Sequence, residues 1–240
     1  MNHPPVNAMT QTFLSDLNQV LNHVREKVRP RAMLLTSESP GFFSAGDDIN
    51  TLQNIDSSLI QLLPKVHSAM DTFEQLPFPT IAAINGHALG GGCELAMVCD
   101  FRFMGDDSGR IGLPEVRLGM IPVFGGTQRL PQLVGKSKAI EMMIKGLQLE
   151  AKDALQIGLI HDIFPQSEIY ERSLDYAKRL ARQATGAIAR IKACVYEGYH
   201  GGIEKGLTKE IEVFGENINS HDAKEGVSAF LEGRKPNFVG

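Results

Sequence analysis

The sequence predicts an α/β fold that continues into a helical C-terminal segment. Short apolar runs ended by glycine or proline alternate with stretches of helical periodicity as far as Pro165, which is typical of strands and helices that share one core. Beyond Pro165 every periodic stretch has helical spacing. We therefore expect a core over residues 1–165 and a helical segment over residues 166–240.

The first elements follow from spacing and from breaker residues. Apolar residues three and four positions apart over 13–28 predict an amphipathic helix, and the run 31–36 predicts a strand that leads into a loop over 37–47. A second helical stretch covers 58–76 and ends at Pro77-Phe78-Pro79.

The middle of the chain predicts a strand, a glycine-rich turn and a short buried helix, at residues 80–85, 86–92 and 93–98. A strand over 101–104, an irregular connector over 112–115, and helices over 127–133 and 137–144 follow. About three amphipathic helices are expected after residue 165, and they would pack on the core or on another subunit.

Composition narrows the class of protein. The 240 residues include 24 basic and 28 acidic side chains, and the net charge of −4 argues against a nucleic-acid partner. Three cysteines in apolar surroundings indicate buried thiols in a reducing compartment. No apolar run is long enough to cross a membrane and the N-terminus lacks the pattern of a signal peptide, so we expect no membrane partner and a cytoplasmic location.

The strongest local signal for chemistry is the segment from Asn85 to Glu94, which contains three adjacent glycines at 90–92. Glycine lets backbone amides approach a ligand, and a helix that begins here directs unpaired N–H groups and its positive dipole end toward an oxyanion or a phosphate. The alternative is a tight turn with a capping glutamate. The glycine spacing does not match the dinucleotide-binding pattern.

The acidic residues offer two further hypotheses. Glu94 and Glu115 could form an acid–base pair, although spacing alone does not bring them together. Asp47 and Asp48 are adjacent but lack further ligands nearby, so we expect no metal site and interpret Asp48 as the cap of a helix that begins at Ile49. No zinc-hydrolase or serine-hydrolase motif is present in the sequence.

Several motifs in order resemble the crotonase superfamily, and the most similar member is enoyl-CoA hydratase. They are Asn7-Ala8-Met9, F-F-S-A-G-D-D-I at 42–49, N-G-H-A-L-G-G-G-C-E-L-A at 85–96, G-L-P-E-V-R-L-G at 112–119, G-G-T-Q-R-L at 125–130 and E-G-V-S-A-F-L-E at 225–232. The resemblance implies a spiral of sheet and helix turns, then a helical segment used for assembly into a homotrimer or homohexamer.

The resemblance also implies roles for particular residues. Glu94 would activate water and Glu115 would move the α-proton, while the backbone N–H groups of Asp47 and Gly91 would form an oxyanion hole. Further substrate-binding positions implied by the motifs are Ala45, Gly46, Asp48, Ile49 and Gly90. The implied reaction is reversible hydration of a trans-2-enoyl-CoA to a 3-hydroxyacyl-CoA, with no cofactor other than the coenzyme A of the acyl-CoA substrate.

The sequence departs from the family pattern in ways that keep alternatives open. The family's first strand pair has no counterpart before Asn7, Asn50 replaces a common lysine, and Leu113 replaces the hydratase glutamine. One extra residue separates the two glutamates. The alternatives are a 3,2-trans-enoyl-CoA isomerase, which relies on a glutamate at position 115, and a catalytically silent subunit that binds CoA thioesters.

Overall fold

A computed structural model describes residues 1–48 and 57–240. Its strands are β1 (Met33–Leu35), β2 (Phe42–Ser44), β3 (Thr80–Ile84), β4 (His87–Leu89), β5 (Phe101–Gly105), β6 (Ile111–Gly112), β7 (Gln148–Leu149) and β8 (Asp162–Phe164). Its helices in the first 165 residues are α1 (Gln11–His23), which a π-turn extends over Val24–Val28, α2 (Ser57–Glu74), α3 (Gly91–Met97), a 3-10 turn at Glu115–Leu118, α4 (Gly126–Val134), α5 (Lys136–Lys145) and α6 (Ala151–Gln156).

Four helices follow residue 165, which is one more than the three expected. They are α7 (Ile169–Ala181), α8 (Thr185–Gly201), α9 (Ile203–Asn217) and α10 (His221–Glu232). Within the described residues, no helix combines the length and the apolar character that crossing a bilayer requires.

The strands form two four-stranded sheets, in the orders β1-β3-β5-β8 and β2-β4-β6-β7. All neighbouring pairs are parallel except β6 and β7. Strands one to six alternate between the two sheets along the chain, so each turn of chain adds one strand to each sheet. This alternation produces the spiral that the resemblance predicted.

The strand β3 lies at the centre of the fold and is buried along its whole length. Ile84 faces the main apolar core, which includes Phe43, Phe73 and Leu95. Ile81 faces a smaller cluster that α7 covers. A run of buried residues without polar alternation is typical of an inner strand in a sheet covered on both faces.

The glycine-rich turn predicted over 86–92 was wrong in part. Residues 87–89 form β4, and α3 begins at Gly91 rather than at Cys93. The N–H of His87 donates to the carbonyl of Gly41, and the N–H of Ala88 donates to that of Arg110. Such partners are distant in sequence, and for that reason the short strands β2, β4, β6, β7 and β8 were not predicted.

Two other predictions concern the burial of the cysteines and the helix that begins at Ile49. Cys93 and Cys99 are buried as predicted, whereas Cys194 is half-buried, and all three are free thiols. The helix expected to begin at Ile49, with Asp48 as its cap, falls outside the described residues.

Candidate active site

Two glycine-containing turns come into direct contact. Gly46, in the loop after β2, has a φ of +88°, and Gly90, between β4 and α3, has a φ of +53°. A Cβ added at Gly46 would lie 2.6 Å from the carbonyl oxygen of Leu89 and 3.0 Å from the amide nitrogen of Gly91. Only glycine combines a left-handed backbone with so close an approach. The two turns therefore lie side by side.

The amides of Asp47 and Gly91 follow these two turns. The chain at Asp47 is held by a parallel bridge to Met9, whose N–H donates to the carbonyl of Gly46 at 2.8 Å. Gly91 is the first residue of α3, where an amide has no acceptor in a preceding helical turn and the dipole favours negative charge. Among residues 1–48 and 57–240, neither amide donates to a backbone carbonyl. Both N–H groups can therefore donate hydrogen bonds to an oxyanion.

Glu94 lies in the first turn of α3 and is 1% exposed. Its Oε1 accepts hydrogen bonds from the amide of Phe124 at 2.9 Å and from the amide of Gly126 at 2.6 Å. Gly126 begins α4, so the carboxylate satisfies an amide that the helix leaves unpaired. These two bonds fix the orientation of the carboxyl group.

Glu115 begins the 3-10 turn after Pro114 and is 9% exposed. A Cβ added at Gly90 would lie 3.2 Å from its Oε1, so the carboxyl group lies over the Gly90 turn. Its Oε2 is buried and has no hydrogen-bond partner in the part of the chain that the structure describes. An unpaired buried carboxyl oxygen is costly, and a substrate or a proton can satisfy it.

Burial raises the pKa of both glutamates. The pKa of Glu94 rises to about 8 because the carboxyl is removed from water; the Gly126 amide opposes this rise, and the negative charges of Glu115 and Asp47 add to it. Burial raises the pKa of Glu115 to about 7, and Asp47 adds to that rise. The pair therefore retains a proton at neutral pH, which suits acid–base chemistry.

Asp47 contributes a third carboxyl group to the site, whereas the sequence predicted a role only for its backbone N–H. The side chain is half-buried, and burial raises its pKa to about 6. Its charge acts on both glutamates. The position of Asp47 directly after Gly46 was the one feature of the sequence that could have indicated that its carboxyl group lies in the site.

The structure brings together most of the residues that the sequence singled out. Ala45, Gly46, Asp47 and Asp48 lie in the loop after β2, beside Gly90, Gly91, Glu94 and Glu115. Ile49 falls outside the described residues. Within residues 1–48 and 57–240, no group of three or more His, Cys, Asp or Glu side chains is placed to hold a metal ion.

The residues that support this site from behind carry no signal in the sequence and were not predicted. A Cβ added at Gly91 would lie 2.6 Å from Sδ of Met9 and 3.1 Å from the Phe124 ring, so both side chains pack against the turn. The Phe124 and Gly126 amides hold Glu94 from 30 and 32 residues away in sequence. No local pattern signals such a contact.

The spiral of mostly parallel strands and the C-terminal helices place this protein in the crotonase class of α/β folds. The sequence model of the enoyl-CoA hydratase/isomerase family matches residues 1–240, and the chain belongs to this family. Its relatives support an enzyme of the hydratase type.

Individual relatives support the same assignment. The chain is 39% identical over 245 residues to the probable enoyl-CoA hydratase of Bacillus subtilis, covering 100% of this chain and 93% of that protein. It is 34% identical to the enoyl-CoA isomerase/hydratase of Mycosarcoma maydis, covering 98% of this chain and 88% of that one. A crystal structure of the Geobacillus kaustophilus enoyl-CoA hydratase superposes with a TM-score of 0.94 at 40% identity, covering 98% and 90% of the two chains.

The raised pKa values predict a specific pH dependence of stability. An acid whose folded pKa exceeds its unfolded value stabilises the fold below the unfolded value, and this stabilisation is lost as pH rises through the folded value. For Glu94 that window runs from the ordinary 4.5 to about 8. We therefore expect the free energy of unfolding of Glu94→Gln at pH 9 to exceed that of the wild type by roughly 2–4 kcal/mol, so that the variant unfolds at a higher temperature.

Calorimetry at pH 5 and pH 9 measures this difference. Glutamine keeps an acceptor for the Phe124 and Gly126 amides, so little difference is expected at pH 5. An equal difference between variant and wild type at both pH values would contradict the assigned burial.

Proposed function

We propose that this protein is an enoyl-CoA hydratase that adds water reversibly to a trans-2-enoyl-CoA and forms a 3-hydroxyacyl-CoA. The observation that carries the proposal is the placement of two buried carboxyl groups, Glu94 and Glu115, beside the adjoining amides of Asp47 and Gly91. Hydration needs one group for water, one for the α-proton, and donors for the charge that develops on the thioester oxygen.

Glu94 is the group proposed to activate water. Burial raises its pKa to about 8, so the ionised form is the minor one at neutral pH. Two backbone N–H groups donate to its Oε1 and favour this ionised form, which is the reacting base. Its other oxygen, Oε2, can orient a water molecule and accept a proton as the water oxygen bonds to the β-carbon. Fixed donors behind the carboxylate keep this orientation during the reaction.

Glu115 is the group proposed to move the α-proton. Its Oε2 has no partner among the described residues, so this oxygen is free to hold a proton and deliver it to the α-carbon. A pKa raised to about 7 by burial suits a proton donor near neutral pH. Water thus supplies the hydroxyl on the β-carbon and leaves its proton on Glu94, while Glu115 gives its proton to the α-carbon. Proton exchange with solvent then returns both carboxyl groups to their starting states.

The amides of Asp47 and Gly91 are proposed to hold the thioester oxygen as the enolate forms. The helix dipole of α3 adds to the second donor. Deletion of one such donor in other enzymes costs about 3–4 kcal/mol of transition-state stabilisation. Coenzyme A enters as part of the substrate, and the proposal requires no separate cofactor.

The isomerase reaction is the second candidate, because the family and one relative combine both activities in their names. An isomerase needs a proton-shuttling group at Glu115 and does not need a second carboxylate for water. The fixed, buried carboxyl of Glu94 therefore favours hydration. A silent binding subunit would require neither group.

Incubation of the purified protein with crotonyl-CoA distinguishes these candidates. The hydratase consumes the conjugated enoyl thioester, whose ultraviolet absorbance falls, whereas a 3-enoyl-CoA substrate would report isomerisation by a rise in the same band. We expect wild type to consume crotonyl-CoA and Glu115→Gln to be at least about 10²-fold slower. Loss of absorbance at equal rates in both proteins would refute the role of Glu115.

We also propose that the helices after residue 165 assemble copies of this chain into a homotrimer or homohexamer in the cytoplasm. Large apolar side chains remain exposed on α9 and α10, among them Ile211 at 78%, Phe214 at 63% and Phe230 at 84%. Ile211 and Phe214 line one surface cavity together with Ile191 and Val195 of α8, and exposed apolar surface of this kind is typical of protein interfaces. The three free thiols agree with a reducing compartment.

The assembly proposal predicts a native mass at least three times that of the 26.3 kDa chain, measured by light scattering after gel filtration. A double substitution, Ile211→Lys with Phe214→Lys, is expected to lower that mass because two charges cannot be buried without partners. Lys224→Gln serves as the control, because Lys224 is an exposed residue of α10 in the same helical segment. A wild-type mass of one chain would contradict the proposal.

A further inference from the structure

One peptide group connects the helix α2 to Glu94. The carbonyl oxygen of Val123 lies 2.6 Å from Nε2 of His67, and the N–H of the same peptide, on Phe124, donates to Oε1 of Glu94 at 2.9 Å. A carbonyl oxygen only accepts, so Nε2 of His67 carries the hydrogen. The result is a continuous chain of two hydrogen bonds from His67 to the carboxyl group.

We propose that His67 is a positioning residue for water addition and acts on Glu94 through the Val123–Phe124 peptide. A hydrogen bond to the carbonyl polarises the peptide and strengthens its N–H as a donor. The same bond fixes the plane of the peptide and hence the direction in which that N–H points. This inference rests on the proposed hydratase function.

The surroundings of His67 show why its effect is directed at this peptide. Arg129 also ties the loop to α2, because its Nη1 contacts the carbonyl of Phe124 at 3.3 Å while its guanidinium pairs with Asp71 and Glu74. That contact falls on the next peptide, whose N–H belongs to Gly125. Of these two side chains, only that of His67 bonds a peptide whose N–H reaches Glu94. The other such peptide, Gly125–Gly126, accepts only the backbone N–H groups of Gln128 and Arg129 among the described residues.

His67 is exposed and lies in a surface cavity shared with Arg25 and Asp71. An exposed hydrogen bond contributes little to folding, so substitution at this position leaves most of the stability unchanged. An effect on the reaction can therefore be separated from an effect on the fold.

The test compares His67→Phe, which keeps a ring but has no donor, with His67→Gln, whose terminal amide reaches nearly as far as Nε2. We expect kcat for crotonyl-CoA hydration to fall about 10-fold or more in His67→Phe, with KM within twofold, and to recover in His67→Gln. In the Glu94→Gln background, His67→Phe is expected to cause no further loss.

A second reaction separates positioning from a general structural role. Exchange of the α-protons of butyryl-CoA in D2O depends on Glu115 and the paired amides, and it does not require activated water. We expect His67→Phe to retain wild-type exchange while its hydration falls. A parallel fall in hydration and exchange would overturn the inference, as would equal hydration by wild type and His67→Phe.

The wild-type assay separates failure of this inference from failure of the proposed function. If wild type hydrates crotonyl-CoA and His67→Phe matches it, the function stands and the role of His67 is rejected. If wild type does not hydrate crotonyl-CoA, the proposed function fails and the role of His67 fails with it.

Discussion

Replacement of Glu94 by glutamine is expected to lower kcat for hydration by roughly 10³-fold, with little change in KM. The side-chain amide keeps the size of the carboxyl group and an oxygen that accepts from the Phe124 and Gly126 amides, so the loop around it is retained. It cannot accept a proton from water. The loss therefore falls on the chemical step rather than on binding.

Steady-state kinetics with crotonyl-CoA measure this effect, and Glu150→Gln is a matched control. Glu150 is an exposed glutamate, with 68% of its side chain accessible, and it pairs only with Arg110 among the residues described. The control is expected to retain wild-type kcat. Hydration by Glu94→Gln at more than a tenth of the wild-type rate would contradict the role proposed for this carboxylate.

Replacement of Gly46 by alanine is expected to have the second large effect. The added Cβ would lie 2.6 Å from the Leu89 carbonyl and 3.0 Å from the Gly91 amide, on a backbone with φ of +88°. Strain and overpacking together should cost about 2–4 kcal/mol of stability. Because the turns must move apart, the two amides separate and kcat should fall by at least about 10²-fold.

Gly41→Ala, directly before β2, provides the control for Gly46→Ala, which lies after the same strand. Gly41 also has a left-handed backbone, with φ of +75°, but an added Cβ would meet nothing within 4 Å. We expect a stability loss of about 1 kcal/mol from strain alone and unchanged kcat. Thermal unfolding and kinetics of both variants provide the comparison, and equal activity losses would show that contact between the turns is not what matters.

The sequence allowed the main elements around the site to be predicted, because they carry strong local signals. The apolar run at 80–85 is long enough to predict a buried strand, and the stretch at 58–76 is long enough to show helical periodicity. The glycines at 90–92 indicate that the backbone there can approach a ligand closely. The family resemblance then favoured the pairing of Glu94 with Glu115, a hypothesis that spacing alone left open.

The contacts that complete the site could not be predicted in the same way. The strands β6 and β7 are two residues long, and they are defined by hydrogen bonds to each other and from β6 to β4. The hydrogen bonds of Glu94 to the loop before α4, and of His67 to the same loop, join segments that approach only after the spiral closes. Such contacts depend on tertiary geometry, which local patterns do not encode.

Above all, Glu94 and Glu115 are proposed to act together in adding water to the double bond of a conjugated enoyl thioester. The most direct test of this proposal is mass spectrometry of the product formed by wild type from crotonyl-CoA in H2¹⁸O and, separately, in D2O. We predict a 3-hydroxyacyl-CoA with one ¹⁸O at the β-carbon and one deuterium at the α-carbon. Recovery of crotonyl-CoA without hydroxylated product, despite demonstrated binding of the thioester, would contradict the account.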